Sequence, residues 1–534
     1  PHATEPPNLS SFENFLDNTA PHPSAEAVAA HRAKSVNWGA EYGPSVVKRE
    51  HDGKMMLSTK FTRVLGKPPL LLAGMTPTTS LNGVDLVAAV ANAGFHAELA
   101  AGGLSRISIF KNTLAQLTAK LVPGAGIAVN LLYLNAKQWA FQMPALLQLA
   151  KSGVPIESVT VAAGVPTPEK ADELLTSLCE AGVRYVCFKP GGKDSILSVL
   201  EIARSFPHMP VVMQWTGGRG GGHHSYEDMH EPILSLYATL RKQDNLLLVA
   251  GSGFGDADQS MQYLTGEWSE SFGYAVMPFD AVLVGSRLMV SKEAFTAPEI
   301  KDLIVDTPGV SNESDWEQSY SGDAGGVITV TSELGEPIHK LKTRGVELWR
   351  EMDRLFFSLP PGKERTDSIL ARHSWIVEAL NKDFQKLYFG DVLSMTYTAT
   401  ARRMLQLMFV PKSVDALLAK SAAERGAHYR FSVPEDDKSE TDGRWLDVTY
   451  RDRLFSFLHR AEERFYFKAS RKNVPDNALP PLLTSPDQLS NQPEALIRSF
   501  VERYPIADHQ LLTEDDVDFF YHLCETGGKP VNFI

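Results

Sequence analysis

Between Pro69 and Arg287 the chain repeats one pattern: a short, unbroken apolar run, ended by Gly, Asn or Pro and followed by a helical stretch. The runs are PLLLAGM (69–75), FHAEL (95–99), GIAVNLLY (126–133), SVTVAAG (158–164), RYVCFKPGG (184–192), PVVMQWTGG (210–218), LLLVAGSG (246–253) and DAVLVGSR (280–287), about eight strands at about 30-residue spacing. Strands that are apolar throughout, rather than at alternate residues, belong to parallel sheets covered on both faces. Between them PEKADELLTSLCEA (168–181) reads as a helix, with Pro168 suited to its first turn and Gly182 to its C-terminal stop. Eight β–α units in series favour closure into an α/β fold of the (β/α)8, or TIM, barrel type, and an open doubly wound sheet is the competing arrangement.

The pattern is confined to part of the chain. Residues 1–66 form a lead-in segment or linker in which KREHDGKMMLSTKFTRVLGK (48–67) reads as a short strand or hairpin, and the barrel core runs over 67–300. Beyond it the period is lost. GGVITVTSELGEPIHKL (325–341) looks extended, while VELWREMDRLFFSL (346–359), DSILARHSWIVEALNKDF (367–384) and YRDRLFSFLHRAEERF (450–465) have amphipathic helical spacing. The expected order is therefore an extended segment and helical domain over 301–433, a charged, turn-rich loop PEDDKSETDGR over 434–444, and a helical portion over 445–534 leading to a further domain of a longer chain. Pro1 in place of an initiator Met, and the absence of a helix cap at KPVNFI, read as cuts at both ends.

A net charge of −12 argues against sequence-independent nucleic-acid binding, which needs clustered Lys and Arg. No apolar run reaches the ~18 residues of a membrane span, and PHATEPPNLSSFENF lacks the basic and apolar segments of a signal peptide, so a cytoplasmic location is expected. Cys179, Cys187 and Cys524 show neither C-x-x-C spacing nor zinc-type His partners, which points to reduced thiols and no metal site.

In a (β/α)8 barrel the reactive groups gather at the C-terminal ends of the strands, where this sequence places its distinctive residues. Strands 7 and 8 end in AGSGFG and VGSR, so backbone N–H groups of Gly251, Ser252, Gly253, Gly285 and Ser286 are candidates to surround a phosphate. A Walker pattern is absent, and GGRGGG after strand 6 lacks the acidic ribose partner of a dinucleotide fold. The glycine-dense stretch QWTGGRGGGHHSYEDMH (214–230) allows close approach to a large planar ligand and then delivers His223 and His224. One of these histidines suits proton donation. Their adjacency sends the rings in different directions and disfavours joint metal ligation, and a purely structural reading makes Ser225 and Asp228 caps of the helix that follows. Asn130 and Lys189, at the ends of strands 3 and 5, face the same mouth and suit either a polar cofactor ring or salt-bridging and packing. Arg219 is either a substrate-phosphate contact or a solvated loop charge.

GMTPTTS, NAGFHAEL, GIAVNLLY, QWTGGRGGGHHSYEDMH, AGSGFG, MPFDAVLVGSR and GEPIHKLKTRGVELWREMD, in that order, closely resemble the enoyl reductase region of the β chain of fungal type I fatty acid synthases. The resemblance runs from about Lys48 to the C-terminus and takes in LNKDFQK, MTYTATARRMLQLMF and WLDVTYRDRLFSFLHRAEERF. It implies an FMN-dependent barrel related to nitronate monooxygenases and some bacterial enoyl reductases, whose histidine after a glycine pair corresponds to His223, with His224 the alternate. It further implies hydride transfer from NADPH to flavin and on to Cβ of a trans-2-enoyl thioester on acyl carrier protein, His223 protonating Cα. Flavin contacts would come from Gly74, Met75, Thr76, Asn130, Lys189, Gly217, Gly218, Gly251, Gly253, Gly285 and Ser286, and the partners would be acyl carrier protein and other domains and subunits of a hetero-oligomeric synthase. AAGGLSRISIF (100–110) departs from the family's AGGGY-type stretch, which bears on nicotinamide or acyl access. The competing readings are a structural segment that has lost catalysis, and a nitronate- or 2-hydroxy-acid-oxidising flavoprotein that uses no NADPH.

Overall fold

The apolar runs are eight parallel strands in the computed structural model, which describes residues 37–48, 53–76, 78–80, 83–104, 107–218, 224–251, 253–310, 313–331 and 337–382. They are β1 (Leu70–Leu72), β2 (His96–Ala100), β3 (Ile127–Leu132), β4 (Ile156–Ala162), β5 (Tyr185–Phe188), β6 (Val211–Trp215), β7 (Leu246–Ala250) and β8 (Ala281–Val284). Each pairs with the next, and β8 returns to β1 with Val282 opposite Leu70 and Val284 opposite Leu72. The sheet is thereby a closed barrel, and the open doubly wound alternative is excluded.

Outside it lie α1 (Val84–Asn92), α2 (Ile107–Ala119), α3 (Ala136–Lys151), α4 (Pro168–Glu180), α5 (Lys193–Ser205), α6 (Glu231–Leu240) and α7 (Ala257–Thr265). The α4 helix shows how local sequence sets these elements. Pro168 occupies the first turn, where its missing N–H costs nothing, and Gly182 takes a φ of 82° just past the end. Ala171, Leu175 and Leu178 fall on one stripe and are buried against the sheet, each leucine contributing roughly 1.5–3 kcal/mol.

Alternation along the strands sorts their side chains into two layers. Leu99, Val129, Val159, Val186, Met213 and Leu248 point outward into the layer under the helices. Leu71, Tyr185, Cys187, Val212, Leu247 and Leu283 point into the barrel, where Phe61 and Leu65 of the short helix Lys60–Leu65 close its N-terminal end. Just before that helix, Ser45–Lys48 pairs with Met55–Ser58, so the strand or hairpin read over 48–67 begins three residues earlier and gives way to helix at Lys60. At the same end Arg241 and Asp280, both buried, form an ion pair (Nη1 to Oδ2 2.7 Å), and Asp280 Oδ2 also accepts from Leu248 N–H at 2.7 Å.

After the barrel come α8 (Pro298–Asp306), α9 (Glu313–Ser321) and an antiparallel pair, β9 (Val327–Thr331) with β10 (Pro337–Leu341), the extended segment read from GGVITV and PIHKL. The chain divides into two compact units between Leu341 and Lys342. In the second, α10 (Arg344–Met352) and α11 (Lys363–Lys382) overlap the stretches read as helical and begin two and four residues ahead of them, with a π-helical turn Asp353–Phe357 after α10. The expectations for residues 1–36, the 434–444 loop and the 450–465 helix lie outside the described residues. No described helix is long and apolar enough to cross a membrane.

Candidate active site

The barrel interior also holds a cluster of polar side chains, and its centre is a residue the sequence reading passed over. Glu98, in the middle of β2, is fully buried. Its Oε1 accepts from Thr160 Oγ1 on β4 (2.9 Å) and Gln214 Nε2 on β6 (2.6 Å), and His96 Nε2 lies at 3.3 Å. Its Oε2 accepts from the N–H of Gly74 (2.8 Å) and from Asn130 Nδ2 on β3 (2.9 Å), with Lys189 Nζ at 3.3 Å. Burial alone raises a carboxyl pKa; the Lys189 ammonium, His96 and the Asn130 amide overcome that and hold Glu98 well below the usual carboxylate range. Lys189 sits one residue past β5 and is the member that reaches solvent, its side chain 21% exposed, so this cluster marks the C-terminal mouth.

The polar groups continue downward. His96 Nδ1 is 2.8 Å from Tyr185 Oη, and Tyr185 Oη lies 3.3 Å from Glu157 Oε1, which pairs with Lys67 (2.6 Å) at the barrel base. Burial, and then Glu157, push the Tyr185 phenol well above its ordinary value, so it remains protonated. Cys187, beside this column, is pushed up to about 12 by burial and then by the Glu98 charge, which makes it an inert thiol.

The glycine-dense loop after β6 is described at both ends. Gly218 N–H donates to Glu227 O (3.1 Å) and Ser225 N–H to Thr216 O (2.9 Å), giving the loop a ribbon-like base. Gly217 is required there, because a Cβ on it would lie 2.3 Å from Met229 Cα. The base is also tied sideways: Ser225 Oγ donates to Gly191 O (2.8 Å), and the Glu227 carboxylate accepts from Lys193 N–H (3.0 Å) at the start of α5. Asp228 Oδ1 accepts from His230 and Glu231 N–H and so ties down the approach to α6, whose N-cap position is held by His230 and not by Ser225 or Asp228. His224 is 4% exposed, its Nδ1 2.8 Å from Ser225 O, and its ring is stacked on His339 of β10 with centroids 4.2 Å apart and planes at 21°.

Among the residues expected at the mouth, Gly74, Asn130 and Lys189 converge on one carboxylate oxygen. Gly285 and Met75 adjoin where β8 meets β1, with a Cβ on Gly285 3.2 Å from Met75 Sδ, and the Thr76 methyl would lie 3.1 Å from one on Gly103. Several backbone donors are already committed. Gly251 N–H donates to Trp215 O (2.8 Å), Gly74 N–H to Glu98, Met75 N–H to Thr79 Oγ1 (2.7 Å) and Gly218 N–H to Glu227 O, so these amides do not point at a ligand. Gly253, with a φ of 68°, and Ser286, which opens the short 3-10 helix Ser286–Val290, lie exposed on the rim and apart from the Glu98 cluster. His223, Ser252 and Arg219 are outside the described residues. Glu98, Thr160, Gln214 and His339 were not anticipated, although a glutamate inside an otherwise apolar buried strand is itself a signal, since such a charge persists only with partners.

Fold and mouth together define a (β/α)8-barrel protein whose axis carries a buried, compensated carboxylate instead of aliphatic layers alone. Residues 210–425 and 437–534 match the family model described as fatty acid synthase subunit beta/Fas1-like, helical. The chain belongs to this family. Relatives include the fatty acid synthase subunit beta of Schizosaccharomyces pombe, 41% identical over 94% of this chain and 23% of that protein, and that of Saccharomyces cerevisiae, 38% identical over 94% and 22%. The fatty acid synthase beta subunit aflB of Emericella nidulans is 40% identical over 94% and 22%. The chain thus spans about a quarter of the length of these curated relatives. Among solved structures, the enoyl reductase domain of MlnA from the macrolactin biosynthesis cluster of Bacillus amyloliquefaciens aligns with a TM-score of 0.41 at 12% identity, covering 88% of this chain and 97% of that one, a likeness too slight to carry function.

Proposed function

We propose that this chain is the enoyl reductase portion of a multifunctional cytoplasmic fatty acid synthase, reducing a trans-2-enoyl thioester on acyl carrier protein with NADPH and FMN. The observation that carries it is the convergence of Gly74, Asn130 and Lys189 on Glu98 at the barrel mouth, in a member of the synthase β-subunit family.

The residues present suit a flavin ring. Gln214 Oε1 is buried and has no hydrogen-bond partner among the described residues, an acceptor of the kind a ring imide N–H requires. The Asn130 amide and Lys189 ammonium supply donors, and Gly74 leaves room where a Cβ would come within 2.7 Å of Asn130 Nδ2. FMN, when bound, supplies the relay that takes hydride from NADPH and delivers it to the substrate Cβ. The protein's part is to orient that ring, exclude water and give a proton to the substrate Cα. We assign the proton to His223. What supports this is its neighbour: His224 is buried under His339 and bonded to Ser225 O, which suits an anchor more than a group facing a thioester.

The test is to record the visible spectrum of the expressed chain and follow NADPH oxidation with crotonyl and longer enoyl thioesters, comparing the parent with His223→Ala. Bound flavin and thioester-dependent turnover that falls about 10²-fold or more in the variant are expected, the usual worth of a positioned general acid. Flavin with no NADPH turnover favours an oxidising flavoprotein or a scaffold; a folded chain without flavin overturns the cofactor assignment.

A further inference from the structure

The loop from Gly217 to His230 contains glycines that give its backbone more freedom than any other residue type allows, and ordering it is entropically costly. A loop of that composition presents a side chain reproducibly only when something outside it fixes both ends. One side chain touches both. His339 on β10, 5% exposed, lies with Nε2 3.2 Å from Gly218 O, where the loop leaves the barrel, and its ring covers His224, where the loop returns. A carbonyl only accepts, so Nε2 carries the proton. Burial lowers the His339 pKa, which favours the neutral ring, and Nδ1 then accepts from Thr329 Oγ1 of β9 at 2.8 Å. Trp316 of α9 packs on the same ring with centroids 4.7 Å apart, so tautomer and ring plane are both fixed.

We infer that His339 is a positioning residue for the reductase loop: the β9–β10 hairpin, which follows the barrel in sequence, clamps the two ends of the 218–224 segment through it. This rests on the reading of that loop as the bearer of the proton donor, yet the clamp itself is measurable without turnover. His339 touches no reacting atom and acts through Gly218 and His224.

Hydrogen exchange read by mass spectrometry on the full chain tests it, with peptides across 217–230 as the probe and peptides across β4 as the internal standard. The parent is compared with His339→Leu, His339→Gln and His339→Phe. In His339→Leu the 217–230 amides should exchange about tenfold faster, the factor lost with one net hydrogen bond, while β4 is unchanged. His339→Gln keeps a donor for Gly218 O and an acceptor for Thr329, so it should recover most of the protection. For NADPH-dependent enoyl reduction, kcat should follow the same order, with KM and flavin binding held.

Unchanged loop exchange in folded His339→Leu overturns the inference, and so does a glutamine variant no better protected than the leucine one. If His339→Leu does not fold, His339→Phe decides: it keeps the stack without the donor, so faster exchange than His339→Gln supports the clamp and equal or slower exchange overturns it. A chain with no flavin and no turnover whose loop still responds leaves the clamp standing and removes the reductase reading. Normal turnover with a loop indifferent to His339 does the reverse.

Discussion

Glu98 shows what one buried charge does when every neighbour is arranged around it. Removing the carboxylate in Glu98→Ala leaves Lys189 without its counter-charge and His96 without its acceptor, and should lower unfolding free energy by about 3–5 kcal/mol in urea titrations. Glu98→Gln, which keeps an acceptor oxygen, should lose less. Because the folded chain holds this carboxyl below its ordinary value of 4.5, the unfolded chain binds the proton more tightly. The stabilisation is therefore complete above about pH 4.5 and is lost as pH falls towards the depressed value, so acid should erode the parent more steeply than Glu98→Gln. Sequence reading missed this residue for a physical reason. FHAEL scans as an apolar run, and only closure of the sheet decides that His96 and Glu98 share the inner face with Asn130, Thr160 and Gln214. Asn130 and Lys189 were legible because strand ends can be counted along the chain; their common partner was not.

At the level of elements, the barrel strands, the α4 boundaries and the extended character of β9 and β10 followed from periodicity and from Pro and Gly placement, which are local properties. The contact between β10 and the loop after β6 joins residues far apart in sequence and has no local signature, so GEPIHKL was read as an extended stretch and nothing more. Gly217 belongs to this level too. Its Cα faces Met229 across the loop base, and a methyl there meets backbone atoms that cannot step aside. Gly217→Ala should cost about 1–3 kcal/mol in thermal unfolding, the range for overpacking, and should depress turnover while flavin absorbance persists. Full turnover in that variant would show that the ribbon at 216–229 is dispensable.

Across the whole molecule the barrel divides by end. The base holds the Arg241–Asp280 pair, the mouth holds the Glu98 cluster, and in this fold chemistry belongs to the mouth and stability to the base. Arg241→Met should therefore lower unfolding free energy by about 3–5 kcal/mol, measured by urea, and leave affinity for the proposed FMN within a factor of about two. A large loss of affinity would contradict the separation. The proposed cofactor adds a calorimetric expectation: FMN at about 100 times its Kd should add about 2.7 kcal/mol of stability to the unit that holds the barrel.

The column beneath the mouth has one more consequence. Glu98, ionised, can only accept, so His96 Nε2 must carry hydrogen; Tyr185 has a single hydroxyl hydrogen and two neighbours, His96 Nδ1 and Glu157 Oε1, able to receive it. Turned towards His96, the hydroxyl finds its acceptor at Nδ1. Turned towards Glu157, it donates to that carboxylate instead. The two orientations differ only by the rotation of a single O–H bond, so the barrel axis can switch its hydrogen bonding beneath the mouth with no heavy atom leaving its place.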